Sequence, residues 1–205
     1  MRAHNLAQNP FDTRLSQQLD FLLTADALKL VERKNVLHSG ARRENTAEHS
    51  WHLAVMGLVF AEYAPPEVNM TRVHQLLVLH DLVEIDAGDH WELASDAAEI
   101  AGKEAAAADR IFAKLPEDQA KPLRALSDEF TARQTPEARF AKALDALQPM
   151  LLVWGPGGSG ETHTPLTARQ MRDLKRPYLA DYPALWALAE ALLDNAVATG
   201  TLPDR

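Results

Sequence analysis

The stretch 76–89, LLVLHDLVEIDAGD, sets an imidazole and carboxylates into an aliphatic run. His80 and Asp81 are adjacent, and Glu84, Asp86 and Asp89 follow. Burying an uncompensated carboxylate is costly, so such a group is normally paired, neutralised or bound to a metal. Along 71–84, Val73, Leu76, Leu77, His80 and Glu84 share one face when about 100° is counted per residue, with Asp81 at its edge. The pattern recurs in two other segments. His49 falls on a stripe with Leu53, Met56 and Phe60, and Asp145 on one with Ala138, Ala141, Gln148 and Leu152. Three helices thus direct imidazole or carboxylate groups inward, and one divalent cation would offset all of these costs at once. His49, His80, Asp81 and Asp145 make a mixed nitrogen and oxygen ligand set suited to Mn²⁺, Co²⁺, Fe²⁺ or Zn²⁺, with positions left for water. The plain alternative is core histidines bonded to backbone beside incidental carboxylates; four such groups on inward faces favour the ion.

The elements that must position these groups read as helical nearly throughout, an all-α single domain over residues 1–205 with its core at about 15–200. Helices are expected at 14–31, at 46–63, at 71–85, at 95–114 from a Ser95 cap, at 117–133, at 136–153 and from Tyr182 to Thr199. Asn45 with Glu48 three positions later forms a capping-box pattern, and Pro136 suits a first turn. The 46–63 segment is apolar almost all round, which predicts a central helix. Pro149 removes the hydrogen bond that the Asp145 carbonyl would accept, so a bend is expected there. Strand-like alternation and internal repeats are absent. Four of the nine glycines lie in GPGGSG, 155–160, read as a flexible loop that extends to about 165.

Composition narrows the function classes. Hydrophobic residues make up 46% and charged residues 24%, ordinary for a soluble domain. No run reaches the roughly 18 apolar residues of a membrane span, and MRAHNLAQNPFDTRLS has no apolar signal core. With no cysteine there is neither disulfide nor thiolate metal site. These features suit the cytoplasm. A net charge of −8 argues against a nucleic-acid polymer as partner, while a small anion remains compatible through a metal and a few local basic groups.

His49, then His80-Asp81, then Asp145 resembles the H…HD…D signature of HD-domain metal-dependent phosphohydrolases. ENTAEHSWH, LLVLHDLVEIDAGD and KALDAL are similar to the 5′-deoxynucleotidase branch of that superfamily. The resemblance covers roughly residues 15 to 200. It implies a helical bundle of the HD type, one divalent metal per chain held by His49, His80, Asp81 and Asp145, a nucleoside monophosphate as substrate, and a homodimer. It also implies a catalytic acid/base role for Glu84, a water- or substrate-orienting role for Asp89, and phosphate binding by Arg33 at the end of the first helix. Some relatives carry an aromatic residue next to that arginine, near the nucleoside; here it is Lys34. Asp86 reads as turn or surface, Arg42 and Arg43 as exposed charge, and His52 as a partly exposed helix histidine. His74 lies about 9 Å along the axis from His80, too far to share its ion.

Three rivals stand beside a nucleotidase. A two-iron oxidase would need extra histidines between the HD pair and the last aspartate, where only His90 lies. A phosphodiesterase or pyrophosphohydrolase acting on cyclic or pyrophosphorylated nucleotides would use the same ion. A non-catalytic helical module would retain the metal without hydrolysis.

Overall fold

In the computed structural model the described residues are 12–90, 97–161 and 166–205. The chain opens with α1 (Thr13–Ala25), capped by Asp12, whose side chain accepts from the Leu15 amide. A 3₁₀ turn, Asp26–Leu30, carries it into the antiparallel ribbon β1 (Glu32–Val36) and β2 (Arg43–Asn45). The continuous first helix expected over 14–31 is therefore shorter. Arg33 lies in a strand and not at a helix end, and the expectation of no strands fails at this one ribbon. Val31 and its successors are held extended by partners distant in sequence: the Thr46 amide donates to the Val31 carbonyl at 2.9 Å.

Helix α2 (Thr46–Val59) starts at the expected capping box. Asn45 Oδ1 accepts from the Glu48 amide at 3.0 Å, and the Asn45 amide donates to Glu48 at 3.1 Å. His49, Leu53 and Met56 are buried on one face. The opposite face is open, with Trp51, Leu58 and Val59 more than half exposed, so α2 is not enclosed all round. After α3 (Met70–Leu79) the winding tightens into a 3₁₀ turn, His80–Val83, before the short α4 (Glu84–Ala87). The single helix expected over 71–85 thus changes pitch at His80. With about three residues per turn, consecutive side chains fan out more widely than on an α-helix.

The long segments follow as α5 (Ala97–Phe112), α6 (Glu117–Ala132) and α7 (Pro136–Trp154). The expected Ser95 cap lies outside the described residues. Thr135 caps α7, accepting from the Ala138 amide, and Pro136 occupies its first turn. The helix continues through Pro149 to Trp154 as one element. Past it, the Gly155–Gly160 loop turns on backbone bonds from Gly158 to Gly155 and from Gly160 to Val153; residues 162–165 of the expected loop lie outside the described ones. Two helices close the chain, α8 (Ala168–Leu179), to which no sequence expectation corresponds, and α9 (Pro183–Ala198).

α7 is the axis of the fold, packed against α2, α3, α6, α8 and α9. Its Phe140, Leu144 and Leu147 are fully buried within the larger core, and a smaller one joins Phe21, Leu28, Leu82, Val83, Ile111 and Phe112. Truncating a buried leucine such as Leu144 to alanine costs about 2–5 kcal/mol. Leu76 and Leu77 belong to the larger core and Leu82 and Val83 to the smaller. His80 and Asp81 therefore sit at the seam between two hydrophobic masses, which fixes their backbone from both sides.

Candidate active site

At that seam His49, His80 and Asp81 lie close enough to share an ion, and Asp145 stands against His49. His49 Nε2 lies 3.0 Å from Asp145 Oδ1 and 3.8 Å from Asp81 Oδ2, and His80 Nε2 lies 2.9 Å from Asp81 Oδ1. The two imidazole rings are 5.8 Å apart, centre to centre. Ligand atoms of His49, His80 and Asp81 fall within 4.8 Å of one another. Asp145 joins through His49, while its other oxygen accepts from Lys142 Nζ at 2.9 Å.

The protonation pattern fits a cation. His80 Nδ1 lies 2.9 Å from the Leu77 carbonyl. A carbonyl only accepts, so Nδ1 carries a proton, and Nε2, a buried atom, faces Asp81. Burial works to lower the His80 pKa, but the Asp81 and Asp145 carboxylates outweigh it and raise it, so a proton and a cation compete for Nε2. Burial, and then the Arg33 charge, hold His49 down at about 4, so that ring is neutral near pH 7. Burial works against ionisation of Asp81, but His80, His49 and Arg33 outweigh it and hold that carboxyl low. Asp145 is likewise ionised: burial opposes this, and Lys142 and the histidines prevail. Two imidazoles facing ionised carboxylates are the donor set that a borderline divalent metal takes once it displaces the His80 proton.

Around this cluster lies a cavity of about 480 Å³, within the range of small-ligand sites. Arg33, Glu84 and Asp89 line it with His80, Asp81 and Asp145. Arg33 is buried in β1, with Nη1 3.5 Å from Asp81 Oδ2 and 3.6 Å from Asp89 Oδ1. Glu84 accepts from the Thr46 hydroxyl at 2.9 Å. Burial, and then the Asp81 charge, push its carboxyl far above the usual carboxylate range. Gly88, with φ +83°, ends α4 in a conformation that side chains resist, and Asp89 then folds back to accept from the Lys34 amide at 3.2 Å. Lys34 lines the same cavity.

The remaining charged and imidazole groups sort cleanly. Asp86 pairs with Arg110 on the surface and Arg42 with Glu48. His74 bonds its own helix at the Met70 carbonyl. His52 is half-buried and meets the Gln148 amide at 3.2 Å.

Four residues near the site had no role in the sequence reading. Thr46 touches Glu84, and Lys142 holds Asp145. Glu44 and Gln148 form a buried pair, with Gln148 Nε2 donating to Glu44 Oε1 at 2.7 Å. A signal existed for two of them: Gln148 shares the Asp145 stripe, and Lys142 lies one helical turn before that aspartate. Glu44 carried none of its own, because its burial depends on strand pairing that its neighbours in sequence do not announce.

The class of protein follows from this fold and cluster. The HD domain family profile matches residues 25–186, and the chain belongs to that family. It is similar to 5′-deoxynucleotidase HDDC2 of Homo sapiens, with 30% identity over 135 residues, 65% of each chain. The present chain thus spans about 65% of the length of that relative. Among solved structures, a predicted metal-dependent phosphohydrolase from Magnetospirillum magnetotacticum is similar with a TM-score of 0.86 and 42% identity, over 94% of this chain and 97% of that one. The PH0347 protein of Pyrococcus horikoshii shares the fold at a TM-score of 0.63 and 20% identity, over 85% of this chain and 99% of its own. Among the described residues no helix is long and apolar enough to cross a membrane.

Proposed function

We propose that this protein is a metal-dependent phosphomonoesterase that removes the 5′-phosphate from deoxyribonucleoside monophosphates. The observation that carries the reading is the juxtaposition of a buried His–His–Asp cluster with a buried arginine at one cavity of about 480 Å³, which His80, Asp81 and Arg33 line and His49 backs. The 5′-deoxynucleotidase relative and the metal-dependent phosphohydrolase neighbour support it.

His49, His80, Asp81 and Asp145 would hold one divalent ion, of the Mn²⁺, Co²⁺, Fe²⁺ or Zn²⁺ type. Such an ion supplies a Lewis acid for phosphate and lowers the pKa of nearby water. Arg33 faces the same space and gives a phosphate two parallel hydrogen bonds, drawing its guanidinium away from Asp81 and Asp89. Glu84 moves the protons: water gives one up as its oxygen bonds to phosphorus, and the departing sugar oxygen takes one as the phosphorus–oxygen ester bond breaks. Asp89, fixed by the Lys34 amide, orients the water or the substrate. The net change is ester plus water to alcohol plus phosphate.

A homodimer and a cytoplasmic location complete the proposal. The test is phosphate release from a panel of ribo- and deoxyribonucleotides, each tried with Mn²⁺, Co²⁺, Fe²⁺, Zn²⁺ and Mg²⁺. Turnover of cyclic or pyrophosphorylated nucleotides in preference to monophosphates would replace the monoesterase with a phosphodiesterase. Metal binding without any hydrolysis would reduce the site to a structural one.

A further inference from the structure

We propose that Glu44 is a positioning residue that holds the Arg33 guanidinium and the His49 imidazole from behind, tying the phosphate-binding group of this site to a metal-binding one. The inference rests on the roles of Arg33 and His49 in the function proposed above.

Glu44 lies in β2, is 2% exposed and does not line the cavity. Its Oε2 sits between two functional groups, 3.4 Å from Arg33 Nε and 3.7 Å from His49 Nδ1, at ion-pair distance from each without a formed hydrogen bond to either. Its other oxygen accepts from Gln148, a fully buried residue one turn past Asp145 on α7. The carboxylate is therefore anchored to the helix that carries Asp145 and reaches across to the strand that carries Arg33.

Each contact has a chemical purpose. The Arg33 Nη1 atom points to Asp81 and Asp89 at the cavity, while Nε points the other way, to Glu44. A carboxylate beside Nε biases the planar fork toward an incoming anion by charge and lowers the entropy lost on binding it. For His49, the tautomer that offers a lone pair at Nε2 places its proton on Nδ1, and the carboxylate facing Nδ1 is that of Glu44. A carboxylate behind a ligating imidazole fixes the ring's tautomer and strengthens it as a donor. A partner for Gln148 alone would require no charge, since a neutral amide oxygen would accept equally well. Burial pushes the Glu44 carboxyl up to about 7, and the Arg33 charge is the largest influence that opposes the rise and favours the anion.

The experiment compares wild type, Glu44→Gln, Glu44→Asp, Arg33→Ala and the Arg33→Ala/Glu44→Gln double variant, each checked for native circular dichroism. Mn²⁺ affinity is measured by calorimetry on metal-stripped protein. Inhibition by inorganic phosphate, together with kcat and KM on deoxyadenosine 5′-monophosphate, is measured at saturating Mn²⁺. Glu44→Gln preserves shape and the Gln148 contact, and it is expected to weaken Mn²⁺ binding about tenfold or more. KM and the phosphate inhibition constant should rise together, while kcat changes far less. In the double variant, phosphate binding should be no weaker than in Arg33→Ala alone, because the Arg33 contact is already gone.

Mn²⁺ affinity and KM within twofold of wild type in a folded Glu44→Gln protein would overturn the inference. Additive losses of phosphate affinity in the double variant would do the same. Should Glu44→Gln fail to fold, Glu44→Asp applies the same test, since it withdraws the carboxylate by one methylene and keeps the charge. A wild-type protein that binds neither Mn²⁺ nor phosphate would remove the proposed function and this inference together. A competent wild type with an indifferent Glu44→Gln removes the inference alone.

Discussion

His80 Nε2 lies 2.9 Å from Asp81 Oδ1, on two consecutive buried residues brought face to face by the 3₁₀ turn that begins at His80. Nδ1 donates to the Leu77 carbonyl, and the facing carboxylates raise the His80 pKa against burial, so Nε2 meets Asp81 either with a second proton or with a cation between them. Two acceptors at that distance repel unless a proton or a cation lies with them.

Stability should therefore be linked to metal. Adding Mn²⁺ or Co²⁺ to chelator-treated protein is expected to raise Tm, by the equivalent of about 2.7 kcal/mol when the ion is at a hundred times its Kd. Asp81→Ala should abolish the shift. Thermal melts recorded with and without the ion decide the matter, and a Tm that ignores metal in the wild type would remove the ion from the site.

Glu84 should separate chemistry from metal binding. It is hydrogen-bonded to Thr46 and lines the cavity, outside the His49–His80–Asp81 cluster. Glu84→Ala is expected to keep the ion, measured by elemental analysis after dialysis, while kcat falls about 10²–10⁴-fold. Phosphate release at the wild-type rate would refute the proton-moving role.

Arg33 should tolerate lysine poorly. A lysine ammonium cannot make two parallel bonds to phosphate while also reaching Glu44. Arg33→Lys is expected to raise KM about tenfold or more, corresponding to the roughly 1.5–3 kcal/mol of one hydrogen bond to a charged group. The check is a steady-state titration with a deoxyribonucleoside monophosphate at saturating Mn²⁺; an unchanged KM would assign phosphate binding elsewhere.

The outward face of α2 supplies a test of the proposed homodimer. Trp51, Val55, Leu58 and Val59 form a helical stripe there, with Leu58 69% exposed. Contiguous apolar surface of this kind on a folded protein marks an interface more often than open solvent does. Light scattering is expected to give a dimer for the wild type and a monomer for Leu58→Glu. A monomeric wild type would end the proposal.

The residues that report on chemistry were legible because they violate a local rule. His49, His80 and Asp145 interrupt apolar stripes, and an interruption can be seen without knowing what lies opposite. The α2 cap was legible for a related reason: Asn45 and Glu48 satisfy each other within one turn, so no distant partner is needed. α8 escaped notice because its sequence, ARQMRDLKRPYL, is polar and contains Pro177, and it is held by packing on α7 and α9. A local signal was present all the same, in the Thr167–Gln170 capping box. The β1–β2 ribbon had no comparable signal. Its strands are short, and their pairing joins Glu32 to Asn45 across the turn between them.

By itself, then, the sequence determined the helical class and the inward faces, and it singled out His49, His80, Asp81 and Asp145 as candidates for the proposed metal site. All of these are set by periodicity and side-chain chemistry within a turn or two of chain. Only the tertiary structure decided that Arg33 belongs to a strand, that the winding changes at His80, and that Glu44 stands behind both Arg33 and His49. Those facts depend on contacts between segments far apart in sequence, where the low-dielectric interior makes each buried charge answer to whatever group the fold sets against it.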